Sequence, residues 1–431
     1  MKNVLMISFF APPANAVATH RIAGFARFLT EFGWKPTLLT AKPQYYQAID
    51  NELLSVIPPE VQIYRTDMIG RKYSHSGTPA GNLQKKPSLI KKCLVPAIKT
   101  VIRHIAFPDE YVGWVPYACK ETQRILAKGQ WDAIYTTGGP FSSMEIGYRL
   151  KKHTRLPWVV DFRDPWAHNP YWKGPHYHQK LNERLESKTV NACDRVIVTT
   201  QSIEKLYRDC YPAIPAEKFV TITNGYDPDL FENLNIAETS GNKFILTHAG
   251  WFYGPRKPDY LLKALRLMLD THPEIPPSDI LVRFIGNIPP ELSILIAQLG
   301  LQNNIELAGV ISHKQTLSYL KQSSVLVLIG GSEEKNEHLF IPAKLFEYML
   351  TQRPILGLVN PGEATEIIRK GNMGESVLPT NIPGISDKIY KMYVAHKNNQ
   401  NVYHPDKEFI SRFNRRELSR QLAAEFTKLC P

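Results

Sequence analysis

Short apolar runs that alternate with amphipathic stretches are the feature of this 431-residue sequence that most restricts its fold. The run at residues 3–9 precedes a helical stripe at 21–32, and another apolar run follows at 36–40. Strands that alternate with helices in this way form parallel sheets covered by helices. We therefore predict an α/β fold. Its ligands should bind in loops at the carboxyl ends of strands, such as residues 11–16.

The alternation restarts after the turn-rich sequence at residues 224–228, which reads NGYDP. Further strand-like runs begin at residues 243, 280, 305, 325 and 354, with helical stretches between them. A chain of this length exceeds one typical hydrophobic core. We predict an N-terminal domain at 1–225 with a basic insert at about 71–107, a second domain at 226–408, and a C-terminal helical segment at 409–431.

Charge and cysteine content restrict the partners and the compartment. The formal net charge is +12 and the sequence pI is about 9.3, which favours anionic partners. No zinc-finger or helix-turn-helix pattern appears, so we do not expect a nucleic-acid partner. Five cysteines lie far apart and no apolar run reaches the roughly 18 residues that span a bilayer. These features predict a cytoplasmic protein with reduced thiols.

Two segments have rival interpretations. The first residues imitate a signal peptide, with Lys2 before an apolar run and Ala14-Asn15-Ala16 after it, but the alternation that follows favours a buried first strand. Residues 85–105 combine lysines with apolar residues at roughly helical spacing. This segment is either an amphipathic helix on an anionic membrane surface or a domain helix with a solvated lysine face.

Lys344 and Glu347 lie one turn apart in the sequence FIPAKLFEYM, where Pro342 predicts the start of a helix. The amino end of a helix attracts anions, and Lys344 adds a positive charge. Glu347 can accept hydrogen bonds from hydroxyl groups. A diphosphate with an adjacent ribose would fit this arrangement. The alternative is a solvated pair of opposite charges on an ordinary amphipathic helix.

Polar residues also follow the strand-like runs of the N-terminal half. Asp161, Arg163 and Asp164 come directly after one run, and Ser142 starts a helix after another. Arg163 and Asp164 either contact a ligand or form a structural ion pair. His168 lies in an aromatic, histidine-containing loop that is either a ligand-binding wall or simple loop packing. The sequence DPD at residues 227–229 imitates a metal-binding motif, but a turn with a helix cap is the stronger interpretation, and we predict no metal site.

The order of several motifs resembles the family 4 glycosyltransferases of GT-B fold. They are ITNGYDP, HAGWFYGPRKPDYLLKAL, FIGN, LAGVISHKQTLSYLKQSSVLVLI and IPAKLFEYM. The segments APPANAVATHRIAGFARFLTEFGW and LPWVVDFRDPW resemble a bacterial branch that makes surface polysaccharides. This resemblance implies two doubly wound Rossmann-like domains facing across a cleft. The N-terminal domain would bind the acceptor and the C-terminal domain a nucleotide-diphosphate sugar, with transfer by retention and without a metal or other cofactor.

The resemblance also assigns roles to residues. Glu347 matches the second acid of the family's E-x7-E motif, which binds the ribose hydroxyls, whereas Leu339 stands where the first acid is expected. Glu333, Glu334 or Glu337 would have to replace that acid.

The family's diphosphate is often held by an arginine directly after a glycine, and by a later lysine. Here Trp251 follows Gly250, Lys257 fits the lysine position, and Arg256 could supply the missing charge. A solvated turn before a helix is the alternative for Arg256 and Lys257. Asp161 occupies a position where many relatives carry an acceptor-side histidine, so its carboxylate would orient or deprotonate the acceptor hydroxyl.

The predicted site residues fall into three groups. The catalytic group is Asp161, Arg256 and Lys257. The donor-binding group is Ala16, Gly250, Arg256, Lys257, Gly286, Val310, Ile341, Lys344 and Glu347. The acceptor-binding group is Arg163, Asp164, Ser142 and His168.

The leading hypothesis is a retaining, metal-independent glycosyltransferase that uses a UDP-, GDP- or similar nucleotide sugar. Its acceptor would be a glycan or a lipid-linked molecule in surface polysaccharide or lipopolysaccharide synthesis, and it would act in the cytoplasm or peripherally at the inner face of the membrane. A sugar-nucleotide epimerase and a non-catalytic glycan- or partner-binding protein are the alternatives.

Overall fold

The structure is a computed structural model, and it describes residues 1–73, 107–172, 176–230, 243–252, 254, 256–331 and 337–430. The segment 85–105 and nearly all of the predicted insert at 71–107 lie outside these residues.

The chain divides into two compact units. The first unit combines Met1–Thr223 with Arg415–Pro431, and the second is Asn224–Asn414. We predicted a boundary after residue 225, two residues beyond the observed one. The predicted C-terminal segment 409–431 is shared between the units, because its last helix packs on the first unit while residues 409–414 stay with the second.

The first unit contains a seven-stranded parallel sheet in the order β3-β2-β1-β4-β5-β6-β7. Its strands are β1 Lys2–Ile7, β2 Trp34–Ala41, β3 Gln62–Thr66, β4 Ala133–Thr137, β5 Trp158–Phe162, β6 Arg195–Val198 and β7 Phe219–Thr221. Its helices are α1 Val17–Phe28, α2 Val115–Leu126, α3 Ser142–His153, α4 His176–Ala192 and α5 Gln201–Cys210. Central strands are buried on both faces, and for this reason they read as continuous apolar runs in the sequence.

The second unit contains a six-stranded parallel sheet in the order β10-β9-β8-β11-β12-β13. Its strands are β8 Phe244–Ala249, β9 Ile280–Ile285, β10 Ile305–Gly309, β11 Val325–Ile329, β12 Ile355–Leu358 and β13 Gly374–Val377. Its helices are α6 Asp259–Thr271, α7 Glu291–Gln298, α8 His313–Gln322, α9 Lys344–Thr351, α10 Glu363–Lys370, α11 Ile382–Lys397 and α12 Lys407–Ser411.

Both sheets share one topology, in which the winding direction reverses beside the first strand. The reversal lies between β1 and β4 in the first unit and between β8 and β11 in the second. In doubly wound sheets, ligands bind at the carboxyl ends of the strands at this switch point. The α/β prediction is confirmed, and the topology points to the ends of β1, β4, β8 and β11.

Helix α13, Arg415–Leu429, returns to complete the core of the first unit. Leu418, Leu422 and Phe426 are buried in it, and the Phe426 ring lies 5.0 Å from the Trp34 ring. The Trp34 indole N–H also donates to the Thr427 hydroxyl at 3.2 Å. Burial of each large apolar side chain contributes about 1.5–3 kcal/mol, so this helix is a structural part of the first unit.

Within the described residues, no helix combines the length and the apolar composition needed to cross a bilayer.

Candidate functional site

Helix α9 presents Lys344 and Glu347 as neighbours at its amino end. The Lys344 Nζ lies 3.0 Å from a Glu347 carboxylate oxygen, and both side chains are partly exposed. We predicted that this helix starts at Pro342, but it starts at Lys344. The first turn is tighter than an α-helical turn, because the carbonyls of Pro342 and Ala343 accept from the N–H groups three residues later, at Leu345 and Phe346.

His313 opens helix α8 and approaches the same carboxylate. Its Nε2 lies 3.8 Å from Glu347, and the helix is fixed by a capping box between Ser312 and Gln315. Burial alone would raise the pKa of Glu347, but His313 and Lys344 outweigh it and lower that pKa to about 2. Glu347 is therefore an anionic hydrogen-bond acceptor at neutral pH.

His248 lies at the end of β8, at the switch point of the second unit. Its Nδ1 is 2.9 Å from the Val327 carbonyl, which can only accept, so Nδ1 carries the proton. The ring is buried and stacks on Phe252 at 5.0 Å. Burial, together with the charges of Lys344 and Arg256, lowers the pKa of His248 to about 4. The imidazole is therefore neutral near pH 7, and both cations lie close enough to affect it.

The buried hydroxyl of Tyr348 connects this strand end to helix α9. It accepts from the Ala249 N–H at 3.0 Å and donates to the Val327 carbonyl at 3.3 Å. Since Tyr348 directly follows Glu347 in the chain, these bonds hold α9 against the ends of β8 and β11.

The ends of β8 and β9 meet at Gly250 and Gly286. Gly286 has φ +125, and a Cβ atom on it would lie 2.1 Å from the Gly250 carbonyl oxygen. Both conditions require glycine at position 286. The Gly286 N–H donates to the Gly309 carbonyl at 2.8 Å, and Val310, the next residue, is 75% exposed.

The remaining predicted donor-side residues take up varied positions. Arg256 is half-buried and Lys257 is exposed, just before helix α6, and Ile341 is half-buried before α9. Leu339, which stands where the family's first acid is expected, has an apolar side chain and is buried. Glu333, Glu334 and the side chain of Glu337 lie outside the described structure. Ala16 is in the first unit, where it is the N-cap of helix α1.

Asp161 is fully buried in the first unit and forms an ion pair with Arg21. The Arg21 Nε and one terminal nitrogen donate to its two oxygens at 2.8 and 3.1 Å. Tyr135 and Thr137 also donate to the Asp161 carboxylate. Burial and the Asp161 charge raise the pKa of Tyr135 well above its ordinary value, so this phenol stays protonated. The carboxylate that we predicted as a catalytic group is thus already engaged on both oxygens.

Arg21 also binds the main chain at the end of the first unit. It donates to the carbonyls of Thr223 and Ile222 at 2.7 and 2.9 Å. Nothing in the local sequence around Asp161 indicated this partner, which lies 140 residues earlier.

The four predicted acceptor-side residues have the following contacts. Arg163 donates to the carbonyls of Gly138 and Gly139, and so it holds that turn. Ser142 is buried, and both its N–H and its hydroxyl donate to Asp109, at 2.9 and 2.5 Å. His168 lies 3.5 Å from the buried Glu186, and Asp164 is exposed. Ser142 is therefore fixed to Asp109 at the start of helix α3, whereas Asp164 lies at the surface.

The DPD sequence forms the predicted turn. Asp227 is buried, and its carboxylate accepts from the Asp229 N–H at 3.1 Å, in front of a short 3-10 turn at Pro228–Leu230.

Residues 74–230, somewhat more than a third of the chain, match the family described as Glycosyltransferase Family 4. None of the curated proteins matches the sequence.

Several solved structures share the fold over their whole length. Sucrose-phosphate synthase from Thermosynechococcus elongatus is 15% identical, with 100% of this chain and 99% of that chain covered and a TM-score of 0.66. HepE from Anabaena in complex with UDP is 15% identical, with 99% and 100% covered and a TM-score of 0.61. The lipopolysaccharide outer core galactosyltransferase WaaB is 12% identical, with 99% and 100% covered and a TM-score of 0.56.

The two parallel sheets, together with these structural matches, define the fold of the chain as the two-domain GT-B fold. More particularly, residues 74–230 are similar to Glycosyltransferase Family 4, the family that the motifs resemble.

The Arg21–Asp161 pair generates a prediction about stability. Removal of one partner leaves an uncompensated buried charge, so Asp161→Ala should lower the free energy of unfolding by about 3–5 kcal/mol in urea titrations. Arg21→Met should have a similar effect, and the double variant should lose less than the sum. The matched control is Asp209→Ala, which breaks the exposed Lys205–Asp209 pair and should cost less than about 1 kcal/mol. An Asp161→Ala variant with wild-type stability and no activity would instead identify Asp161 as the acceptor-side base.

The lowered pKa of His248 generates a prediction about pH. Above pH 6.5 neither the folded nor the unfolded chain protonates this ring. Below pH 6.5 the unfolded chain binds a proton on this ring, whereas in the folded chain the ring has a pKa of about 4 and is protonated only near that pH. Stability should therefore fall through this window, by roughly 3 kcal/mol from this group alone. His248→Asn keeps a donor for Val327 and should show a shallower pH dependence between 6.5 and 4. Parallel curves for the two proteins would contradict the assignment.

Proposed function

We propose that this protein is a glycosyltransferase that moves a sugar from a nucleotide-diphosphate sugar to a glycan or lipid-linked acceptor, with retention of anomeric configuration. The reaction would belong to surface polysaccharide or lipopolysaccharide synthesis. The observation that carries the proposal is the convergence of His248, Lys344, Glu347 and the charge of Arg256 at the switch point of the second unit.

The chemistry of a nucleotide-sugar donor matches this group of side chains. The diphosphate gains negative charge as it leaves, and fixed cations stabilise that charge best when they are already in place. Lys344 and Arg256 are such cations, and the exposed Lys257 is close in sequence. Glu347 remains ionised and can accept from the ribose hydroxyls. The neutral His248 adds no third positive charge, and its ring lies beside Gly250 and stacks on Phe252.

The structural neighbours support the choice of donor and pathway. HepE was solved with UDP and with UDP-glucose, and WaaB is a galactosyltransferase of the lipopolysaccharide outer core. We also propose that the chain acts at the cytoplasmic face of the membrane, where the basic segment 85–105 would bind anionic lipids. Vesicle binding by the full chain, compared with a variant in which Lys91 and Lys92 are glutamates, would test that placement.

Binding of the nucleotide provides the main test. Lys344→Ala and Glu347→Ala should each weaken binding of UDP or GDP by about ten-fold or more, because each removes a charge-assisted contact. Isothermal titration calorimetry with UDP, GDP and ADP measures this and identifies the base. The matched controls are Glu366→Ala and Arg369→Ala, which remove an exposed pair of the same spacing on helix α10. Unchanged affinity in the Lys344 and Glu347 variants would show that the donor site lies elsewhere.

Transfer should not depend on a divalent metal, because protein cations would supply the charge that a metal provides in other transferases. Rates measured with a panel of nucleotide sugars should be equal, within about two-fold, before and after treatment with excess EDTA. A rate abolished by EDTA and restored by Mg²⁺ or Mn²⁺ would refute metal independence. In the same assay, NMR of the product reports the anomeric configuration, and conversion of the donor without any acceptor would indicate an epimerase.

A further inference from the structure

Trp251 is an unusually exposed tryptophan at the end of a buried strand. It follows Gly250, directly beyond β8, and 66% of its surface is accessible. By contrast, Trp34, Trp114 and Trp158 are fully buried in the core. Exposure of an indole costs hydrophobic free energy, so an indole in a ligand-binding region commonly serves as a contact surface.

The indole lies beside the junction of β8 and β9. A Cβ atom placed on Gly286 would be 3.5 Å from the Trp251 Cδ1 and 2.1 Å from the Gly250 carbonyl oxygen. Gly286 has φ +125, so this close approach of the two strand ends depends on glycine. The absence of a side chain at position 286 also leaves that edge of the indole uncovered.

The polar donor site lies next to this surface. The His248 Nε2 would be 3.0 Å from a Cβ atom on Gly250, and the pKa of His248 responds to Lys344 and Arg256. Trp251, Gly250 and His248 therefore form a continuous rim at the end of one strand. A nucleotide has an anionic part, a polyol part and a flat aromatic part. The first two have partners in the cations and in Glu347, and the exposed indole is a matching surface for the third.

We infer that Trp251 is the stacking platform for the nucleobase of the donor. This inference rests on the proposed function and deepens it, since it assigns the base to a specific part of the same site. An aromatic face stacks on any base, so Trp251 gives affinity without selecting between pyrimidine and purine. Selection between them would fall to hydrogen-bonding groups at neighbouring strand ends, where Gly286 and Val310 lie.

The first test compares two substitutions with two ligands. Trp251→Ala should weaken UDP or GDP binding about ten-fold, whereas Trp251→Phe, which keeps an aromatic face, should stay within about three-fold of wild type. Pyrophosphate has no base, so its affinity should be equal in all three proteins. Isothermal titration calorimetry on the full chain measures each value, and circular dichroism checks that the variants fold.

The second test uses the indole as its own reporter. Nucleotide should quench part of the tryptophan fluorescence of the wild-type chain, and this response should disappear in Trp251→Phe. Trp131→Phe is the matched control, because Trp131 is a partly buried tryptophan of the first unit and its loss should leave the quenching intact.

The outcomes separate this inference from the function on which it rests. If the wild-type chain binds no nucleotide, both the stacking role of Trp251 and the proposed function are overturned. If wild type binds UDP or GDP and Trp251→Ala binds it equally well, the donor site stands and the stacking role is refuted. Equal losses of UDP and pyrophosphate affinity in Trp251→Ala would also refute stacking, because they would place the indole at the phosphate end of the site.

Discussion

A buried pair of charges holds the centre of the first unit together. Arg21 and Asp161 have both left water, which costs several kcal/mol for each ion, and only excellent geometry offsets that cost. Two parallel hydrogen bonds join them, and Tyr135 and Thr137 satisfy the carboxylate further. The pair connects helix α1 to strand β5, and the same guanidinium reaches the carbonyls at the end of the unit. One arginine thus joins helix α1 both to β5 and to the chain just after β7.

The second unit uses charge in a different way at the corresponding place. Lys344 and Glu347 remain partly exposed, whereas the uncharged His248 ring is buried. Burial disfavours a second proton on this imidazole, and the nearby cations disfavour it further. The site therefore has partly exposed charged groups beside a buried neutral ring. This combination suits a ligand that arrives highly charged and must leave again.

Local patterns in the sequence predicted most of the fold. The alternation of apolar runs and helical stripes gave both parallel sheets, and the turn at residues 224–228 lay at the boundary between the units. The Lys344–Glu347 contact also followed from local spacing, because residues three apart on a helix face the same side. These features depend on neighbours within a few positions.

Features formed by distant residues could not be predicted in this way. Arg21 and Asp161 are 140 residues apart, so nothing near Asp161 indicated that its carboxylate would be buried and paired. His248 and His313 were missed as neighbours of Lys344 and Glu347, although each stands at a strand end or a helix start. The partner of helix α13 was missed for the same reason. The sequence indicated a helix with an apolar face, but not which surface of the protein that face covers.

The return of α13 to the first unit has a consequence for synthesis on the ribosome. Leu418, Leu422 and Phe426 complete the core around Trp34, and they are translated after the whole second unit. At typical elongation rates, roughly 200 intervening residues take about 10–40 s. During that interval the nascent first unit exposes the apolar surface that α13 later covers. Its folding is therefore completed only after the second unit has been translated, and chaperones that shield apolar surface have a defined period in which to act.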